Sequence, residues 1–141
     1  MKKFIALVVL TSLSVITIAQ DLSLFQKKQF ISGNDTLPYR LLLPENYDGS
    51  KKYPLVFFLH GAGERGNDNE IQLLHGAKLF LKEEVRKKYP AIVIFPQCRP
   101  NSFWSNVDFK MENGKRVFAF KAEGEPTMAM KLAQELLFTI L

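Results

Sequence analysis

The sequence predicts an α/β fold, because two uninterrupted apolar segments of strand length flank a stretch rich in Leu, Lys and Glu. The first segment is Leu55–Leu59 and the second is Ala91–Phe95. Segments without polar alternation are typical of strands buried on both faces of a parallel sheet. A third observation is an apolar stripe at helical spacing near the end of the chain, formed by Ala129, Leu132, Ala133, Leu136, Leu137 and Ile140.

Composition is that of one globular domain. The 141 residues are 47% hydrophobic and 12% aromatic, with a single Cys. These values exclude a collagenous chain, a disulfide framework and an intrinsically disordered chain. The net charge of +5 gives no argument for a nucleic-acid partner, since the basic runs Lys51-Lys52 and Arg86–Lys88 are short and lack interleaved aromatic residues.

Residues 1–19 have the pattern of a secretory signal peptide. Lys2-Lys3 is followed by an uncharged apolar run from Phe4 to Ala19. We expect cleavage after Ala19 and export of residues 20–141 to the periplasm or the medium, with no stable membrane anchor left. The alternative is a retained transmembrane helix, but the run is shorter than the roughly 20 apolar residues that span a bilayer and is interrupted by Ser and Thr.

Short apolar-rich segments open the expected domain. Leu24–Ile31 and Tyr39–Leu43 flank the turn cluster Ser32–Asp35, which predicts an antiparallel pair. Leu55–Leu59, the stretch Glu70–Lys88 and Ala91–Phe95 then form a strand–helix–strand unit, with an interruption of the helix at His75-Gly76.

The last part of the chain predicts a hairpin and a helix. Phe103–Phe120 alternates around Asn113-Gly114, a tight-turn signal, and the helix is expected to begin with Pro126 as its first residue. The helix has no stop signal, and four of its apolar residues have no partner among the expected elements: Leu136, Leu137, Ile140 and Leu141. We therefore expect a chain truncated within a longer sheet.

Chemistry is expected at the glycine-rich loop that follows Leu55–Leu59. Gly61, Gly63 and Gly66 allow the backbone to turn sharply and to present N–H groups to an anion. The same glycines match a dinucleotide fingerprint by letters, but Asn67-Asp68-Asn69 predicts a loop with Asp68 as helix N-cap, and no acidic residue follows the next strand. A purely structural turn is the other alternative.

The segment Leu59–Gly66 resembles the oxyanion loop of secreted α/β-hydrolases of the phospholipase/carboxylesterase type, including predicted peptidases and polyhydroxybutyrate-depolymerase-like esterases. Tyr39–Pro44, Phe95–Cys98 and Trp104 are similar as well. The resemblance implies the N-terminal part of an α/β-hydrolase fold, with antiparallel edge strands before the parallel strand–helix–strand units. It also implies that the N–H of Ala62, with Gly63 second, belongs to an oxyanion hole.

Two residues near the loop are candidate substrate contacts. Arg65 either orients substrate or holds the loop by local hydrogen bonds, and Trp104 lines the cleft or covers the edge of the core. His60 is expected to anchor the loop, and Cys98 to be a buried thiol. No cofactor and no metal site is expected, because His60, His75 and Cys98 show no close ligand spacing.

The catalytic triad of the resembled enzymes is missing from the sequence. No serine stands in a G-x-S-x-G motif, and both histidines precede the position at which that motif would occur. We therefore expect an N-terminal fragment of a secreted serine hydrolase for small or polymeric carboxylic esters, or for peptides, that is inactive alone. The alternative is a secreted binding module or pseudoenzyme with a hydrolase-like cleft.

Overall fold

The computed structural model describes residues 21–141. The predicted signal peptide, residues 1–19, lies outside the described residues. Among the described residues, no helix combines the length and the apolar character needed to cross a membrane.

Four strands form a mixed sheet: β1 (Gln26–Ser32), β2 (Asp35–Leu42), β3 (Leu55–Phe57) and β4 (Ile92–Pro96). Their spatial order is β1-β2-β4-β3, with β3 parallel to β4 and the other neighbours antiparallel. The antiparallel pair is confirmed, and its turn passes through Gly33 at φ +57°. The parallel relation of the two apolar segments is confirmed too, although β3 is shorter than expected and its residues are only half-buried.

Both faces of β4 are covered, which explains its continuous apolar sequence. Ile94 points to one core cluster and Val93 and Phe95 point to the other. Strands alternate their side chains between faces, so a strand between two layers must be apolar at every position. The protein is thus layered: the C-terminal helix packs on one face of the sheet, and Leu73, Ala77 and Phe80 pack on the other.

The stretch Glu70–Lys88 is more broken than the single interruption that the sequence predicted. It forms a 3₁₀ turn at Ile71–Leu73 and two short helices, α1 (Ala77–Phe80) and α2 (Glu83–Lys88). Gly76 adopts φ +83°, and a Cβ there would lie 2.8 Å from the Phe58 ring. The predicted interruption at His75-Gly76 is therefore confirmed, and it lets the chain pass close to the strand end.

The predicted hairpin is present as β5 (Val107–Glu112) and β6 (Lys115–Phe120). Asn113 and Gly114 both have positive φ, 50° and 75°, as a type I′ turn requires.

The C-terminal helix α3 (Met128–Ile140) begins later than expected. Thr127 is its N-cap and accepts a hydrogen bond from Met130 N at 3.2 Å, so Pro126 precedes the helix instead of starting it. The expectation that Leu136 and Ile140 lack partners is also wrong. Leu136 is 2% exposed in a cluster with Leu37 and Ile94, and Ile140 packs against the same cluster.

Candidate functional site

The glycine-rich loop after β3 is tied to the residues that follow β4. His60 is buried, and its Nε2 accepts a hydrogen bond from Cys98 N at 3.0 Å. At the other end of the loop, Gly66 N donates to Cys98 O at 2.9 Å. These two contacts fix both ends of the loop against the same edge of the sheet.

The imidazole of His60 is held neutral by its surroundings. Burial lowers the pKa of His60 below its ordinary value of 6.5. A neutral ring accepts at one nitrogen and donates at the other, which matches Nε2 facing Cys98 N and Nδ1 lying 2.7 Å from Gly61 O. The expected anchoring role of His60 is confirmed by this geometry.

Backbone N–H groups at the start of the loop lack a hydrogen-bond acceptor among the described residues. Ala62–Glu64 is a 3₁₀ turn preceded by Gly61, and Glu64 N donates to Gly61 O at 3.3 Å. The N–H groups of Ala62 and Gly63 have no acceptor within residues 21–141. Such donors are left free because the first residues of a helical turn have no preceding carbonyl to bond. Ala62 and Gly63, the two residues singled out in the sequence, are thus among the loop residues with available donors.

Beneath this turn lies a buried carboxylate. Glu64 is 7% exposed, and its Oε1 lies 3.2 Å from Nε2 of the exposed His75. A Cβ on Gly61 would be 3.1 Å from Oε2 of Glu64, tighter than ordinary contact. The glycine therefore makes room for the carboxylate under the turn.

Arg65 braces the loop. Its Nε donates to Ala62 O at 3.0 Å and its Nη1 to Ser102 O at 3.2 Å. The guanidinium also lies over the Phe103 ring, 4.3 Å from its centroid. Of the two roles open for Arg65 in the sequence, loop holding is the one these contacts perform, and substrate contact stays a prediction.

Trp104 is fixed against the same loop. Its Nε1 donates to His60 O at 3.1 Å, and its ring meets the His60 ring edge-to-face at 5.3 Å. The indole also packs against the core cluster on the α3 face.

A cavity of about 270 Å³ adjoins the loop. Ala62, Arg65 and Trp104 all line it, whereas Gly63 does not. The remaining lining residues come from the loop, from the chain after β4 and from the hairpin: Gly61, Cys98, Phe103, Ser105, Val107, Phe118 and Phe120. The aromatic residues of the hairpin were not among the expected site residues, although the period-2 spacing of Phe118 and Phe120 in β6 places them on one face.

Cys98 contributes a neutral thiol to this region. It is fully buried, and burial raises the pKa of its thiol to about 11. A thiol with that pKa holds almost no thiolate at neutral pH, so it is a poor nucleophile. The expected buried thiol is confirmed.

A buried polar network lies under the far end of the loop. Gln97, fully buried, accepts from Asn69 N at 2.7 Å and donates to Asp68 Oδ1 at 2.7 Å. Asp68 also accepts from Glu70 N and Ile71 N, but the expectation that it is a helix N-cap is wrong, because the following 3₁₀ turn, Ile71–Leu73, has Glu70 at its N-cap position. These hydrogen bonds lower the pKa of Asp68, and the bond from Gln97 has the largest effect.

Arg40 extends the network into the sheet. It is 5% exposed and donates to Asn69 O at 2.6 Å, to Phe25 O at 2.7 Å and to the carboxylate of Glu70. Gln72 is fully buried and donates to Asn69 Oδ1 at 2.5 Å. Arg40 and Gln72 were not among the residues expected to form a network. The one sequence signal for Arg40 is that it is a lone arginine within the apolar segment Tyr39–Leu43.

Residues 21–141 hold no group of three or more His, Cys, Asp or Glu side chains placed to bind a metal ion.

A family model and a solved structure both relate the chain to esterases. A family model described as "Putative esterase" matches residues 32–140. A solved structure of a thermostable esterase superposes with a TM-score of 0.55 and 41% sequence identity, over 59% of this chain and 23% of that chain.

The dipeptidyl-peptidase 5 proteins of two Aspergillus fumigatus strains, CBS 144.89 and Af293, are each 63% identical over 27 residues. That match covers 19% of this chain and 4% of each fungal protein. The chain thus spans less than a quarter of the length of these relatives.

Proposed function

The chain belongs to the Esterase family, and we propose that it is the oxyanion-loop part of a secreted serine hydrolase that cleaves carboxylic esters. The observation that supports this most directly is the N–H of Ala62, which has no acceptor within residues 21–141 and belongs to a residue that lines the cavity. The fold proposed for the whole enzyme is an α/β-hydrolase, of which the mixed sheet and its covering helices are the N-terminal part.

The chemistry follows from where charge develops during ester cleavage. Attack on the carbonyl turns its oxygen into an anion, and fixed backbone donors stabilise that anion more than the neutral carbonyl. The N–H of Ala62 is the first donor and that of Gly63 the second. Because the loop is tied to Cys98 at both ends, the donors need no rearrangement when charge appears.

The nucleophile, the acid and the base are proposed to come from outside residues 1–141. No serine of the sequence stands in a G-x-S-x-G motif. Cys98, with its pKa of about 11, and His60, whose Nε2 is engaged by Cys98 N, are not placed to replace them. We therefore expect no hydrolysis by the 141 residues alone.

Peptides form the second candidate substrate class. The 27-residue match to the fungal dipeptidyl-peptidases favours it, and amide cleavage passes through the same kind of oxyanion. Export is also part of the proposal; N-terminal sequencing of the protein from the culture medium or periplasm is expected to begin at Gln20.

The substitution Ala62→Pro tests the proposed donor. Proline removes the N–H but is tolerated at the first position of a helical turn. The preceding residue, Gly61, has φ −75° and ψ 176°, the extended conformation that a residue before proline prefers. The variant is thus expected to keep the loop and lose one donor.

The protein expressed from its complete reading frame is assayed with p-nitrophenyl acetate and with a dipeptide p-nitroanilide. We expect ester hydrolysis, with kcat lowered by about 10²–10³ in Ala62→Pro and KM little changed. Ala62→Gly keeps the N–H and serves as the matched control, expected within threefold of the parent. Absence of hydrolysis would refute the proposal in favour of a binding module, and equal kcat for the proline and glycine variants would refute the Ala62 N–H as an oxyanion donor.

A further inference from the structure

We propose that the β5–β6 hairpin forms the specificity wall of the cavity, and that the cavity takes an apolar substituent of the ester the size of one aromatic ring on a short linker. The inference rests on the proposed function, because it places the ester carbonyl at Ala62 N–H. It assigns the choice of substrate to Val107, Phe118 and Phe120.

One face of the hairpin is mainly apolar, with Arg116 as its charged side chain, and the opposite face carries most of the charged residues. Its register pairs Val107 with Phe120 and Phe109 with Phe118, so these side chains lie on the same face. The opposite face carries charged residues, among them Asp108 and Lys110, and Lys121 bonds Asp108 at 2.6 Å. The face that lines the cavity is therefore the apolar one.

Aromatic contacts hold this face in place before any ligand binds. Phe103 meets Phe109 at 6.2 Å, Phe109 meets Phe118 at 6.0 Å, and Phe118 meets Phe120 at 6.3 Å between ring centroids. An isolated two-stranded hairpin is marginally stable in water. The row of rings ties the hairpin to Phe103, whose ring also lies under the guanidinium of Arg65.

The exposure of two wall residues indicates a surface that a ligand would cover. Phe118 is 45% exposed and Phe120 is 73% exposed, although both line the cavity. Large apolar side chains on a preformed concave surface mark binding sites in soluble proteins. The ligand that fits is the substrate, because the same cavity is lined by Ala62.

Volume limits the size of that ligand. The cavity holds about 270 Å³. An apolar cavity of about 150 Å³ accepts benzene, and sites for drug-sized ligands begin near 300 Å³. One ring with two or three methylene groups therefore fills this volume, and a long acyl chain would extend beyond it.

The fluorescence of Trp104 reports directly on ligand binding in the cavity. It is the only tryptophan of the 141-residue chain and lines the cavity. Titration with 4-phenyl-2-butanone, an uncharged carbonyl compound that carries a ring and cannot be hydrolysed, is expected to give a saturable change in its fluorescence. 2-Butanone, which lacks the ring, is expected to give none over the same concentrations.

Variants separate the wall from the rest of the hairpin. Phe120→Ala is expected to raise the Kd of the ketone about fivefold through loss of one aromatic contact. Met111→Ala is the matched control, since Met111 lies on the same face, is 60% exposed and does not line the cavity. It is expected to leave the Kd within twofold.

Three results would overturn the inference: a change that never saturates, equal Kd values for the two alanine variants, or a signal that depends on protein concentration and so reports a second copy on the hairpin. Ketone binding requires no nucleophile, so failure of the hydrolysis assay leaves this test intact. Conversely, hydrolysis that depends on Ala62 without ketone binding would refute the wall alone.

Discussion

The replacement of Gly66 by Ala tests whether Gln97 holds the loop in place. A Cβ on Gly66 would lie 2.8 Å from Nε2 of Gln97, whereas ordinary contact begins at 3.4 Å. Gln97 is fully buried and makes hydrogen bonds at both ends of its amide, to Asp68 and from Asn69 N. The added methyl group must therefore displace a buried amide that is held by two hydrogen bonds.

The cost is set by the two hydrogen bonds. Both are 2.7 Å long, and a displacement of roughly half an ångström brings them to the limit of about 3.2 Å for N–H···O bonds. Each buried group left without its partner costs about 1–3 kcal/mol. We expect Gly66→Ala to lower the free energy of unfolding by about 2–4 kcal/mol, a fall in Tm of roughly 10 °C for a chain of this size.

Gly63→Ala is the matched control in the same loop. A Cβ on Gly63 meets nothing within 4 Å, and neither glycine has a φ in the left-handed region. Because alanine restricts the unfolded chain, this variant is expected to unfold at equal or higher urea, with a gain of about 0.4–1 kcal/mol. Urea unfolding followed by Trp104 fluorescence compares the two.

A double-mutant cycle isolates the contact. In a Gln97→Ala background, the methyl group at position 66 has no amide to displace, so Gly66→Ala should cost less than about 0.5 kcal/mol there. Equal midpoints for the two glycine variants, or an undiminished cost in the Gln97→Ala background, would refute the reasoning.

Two further expectations concern Arg40 and His60. Arg40→Met leaves the buried carbonyls of Phe25 and Asn69 unpaired and is expected to lower the free energy of unfolding by about 2–4 kcal/mol in urea; Lys27→Met, which removes an exposed ion pair with Glu70, should cost under about 1 kcal/mol. Since the pKa of folded His60 lies below 6.5, the unfolded chain binds more protons near and below that pH. Stability should therefore be complete above pH 6.5 and decline as pH falls towards the folded pKa. Urea midpoints measured across this pH range test the His60 contribution. His60→Gln should remove the decline in stability, and an identical decline with pH in that variant would contradict the expectation.

Local signals in the sequence were enough for most of the fold. Asn113-Gly114 defines its hairpin because both residues tolerate positive φ. The apolar segment Ala91–Phe95 indicates a strand with two covered faces, and the stripe on α3 indicates its buried side. The expectation that Pro126 is the first residue of the helix was wrong. The preference for proline at that position is weaker than the hydrogen bond that Thr127 accepts from Met130 N.

Long-range polar contacts were beyond the sequence patterns. The Gln97–Asn69 hydrogen bond joins residues 28 positions apart, and the Trp104–His60 bond joins residues 44 apart. Neither bond produces a periodic pattern in the sequence. Each joins one side chain to one backbone group, and the fold of the sheet brings the two together. The resemblance led to Ala62 as a candidate oxyanion donor, whereas the hairpin residues that line the cavity were identified from the three-dimensional arrangement.

The hydrogen bonds that join the loop to Cys98 determine when the loop loses its conformational freedom. Ordering a residue costs about 1–2 kcal/mol, and here that entropy is lost during folding instead of during ligand binding. A ligand at Ala62 therefore keeps most of its interaction free energy as affinity. It follows that a substitution at His60 or Gln97 can weaken binding without removing any contact to the ligand, because the ligand would then have to order the loop itself.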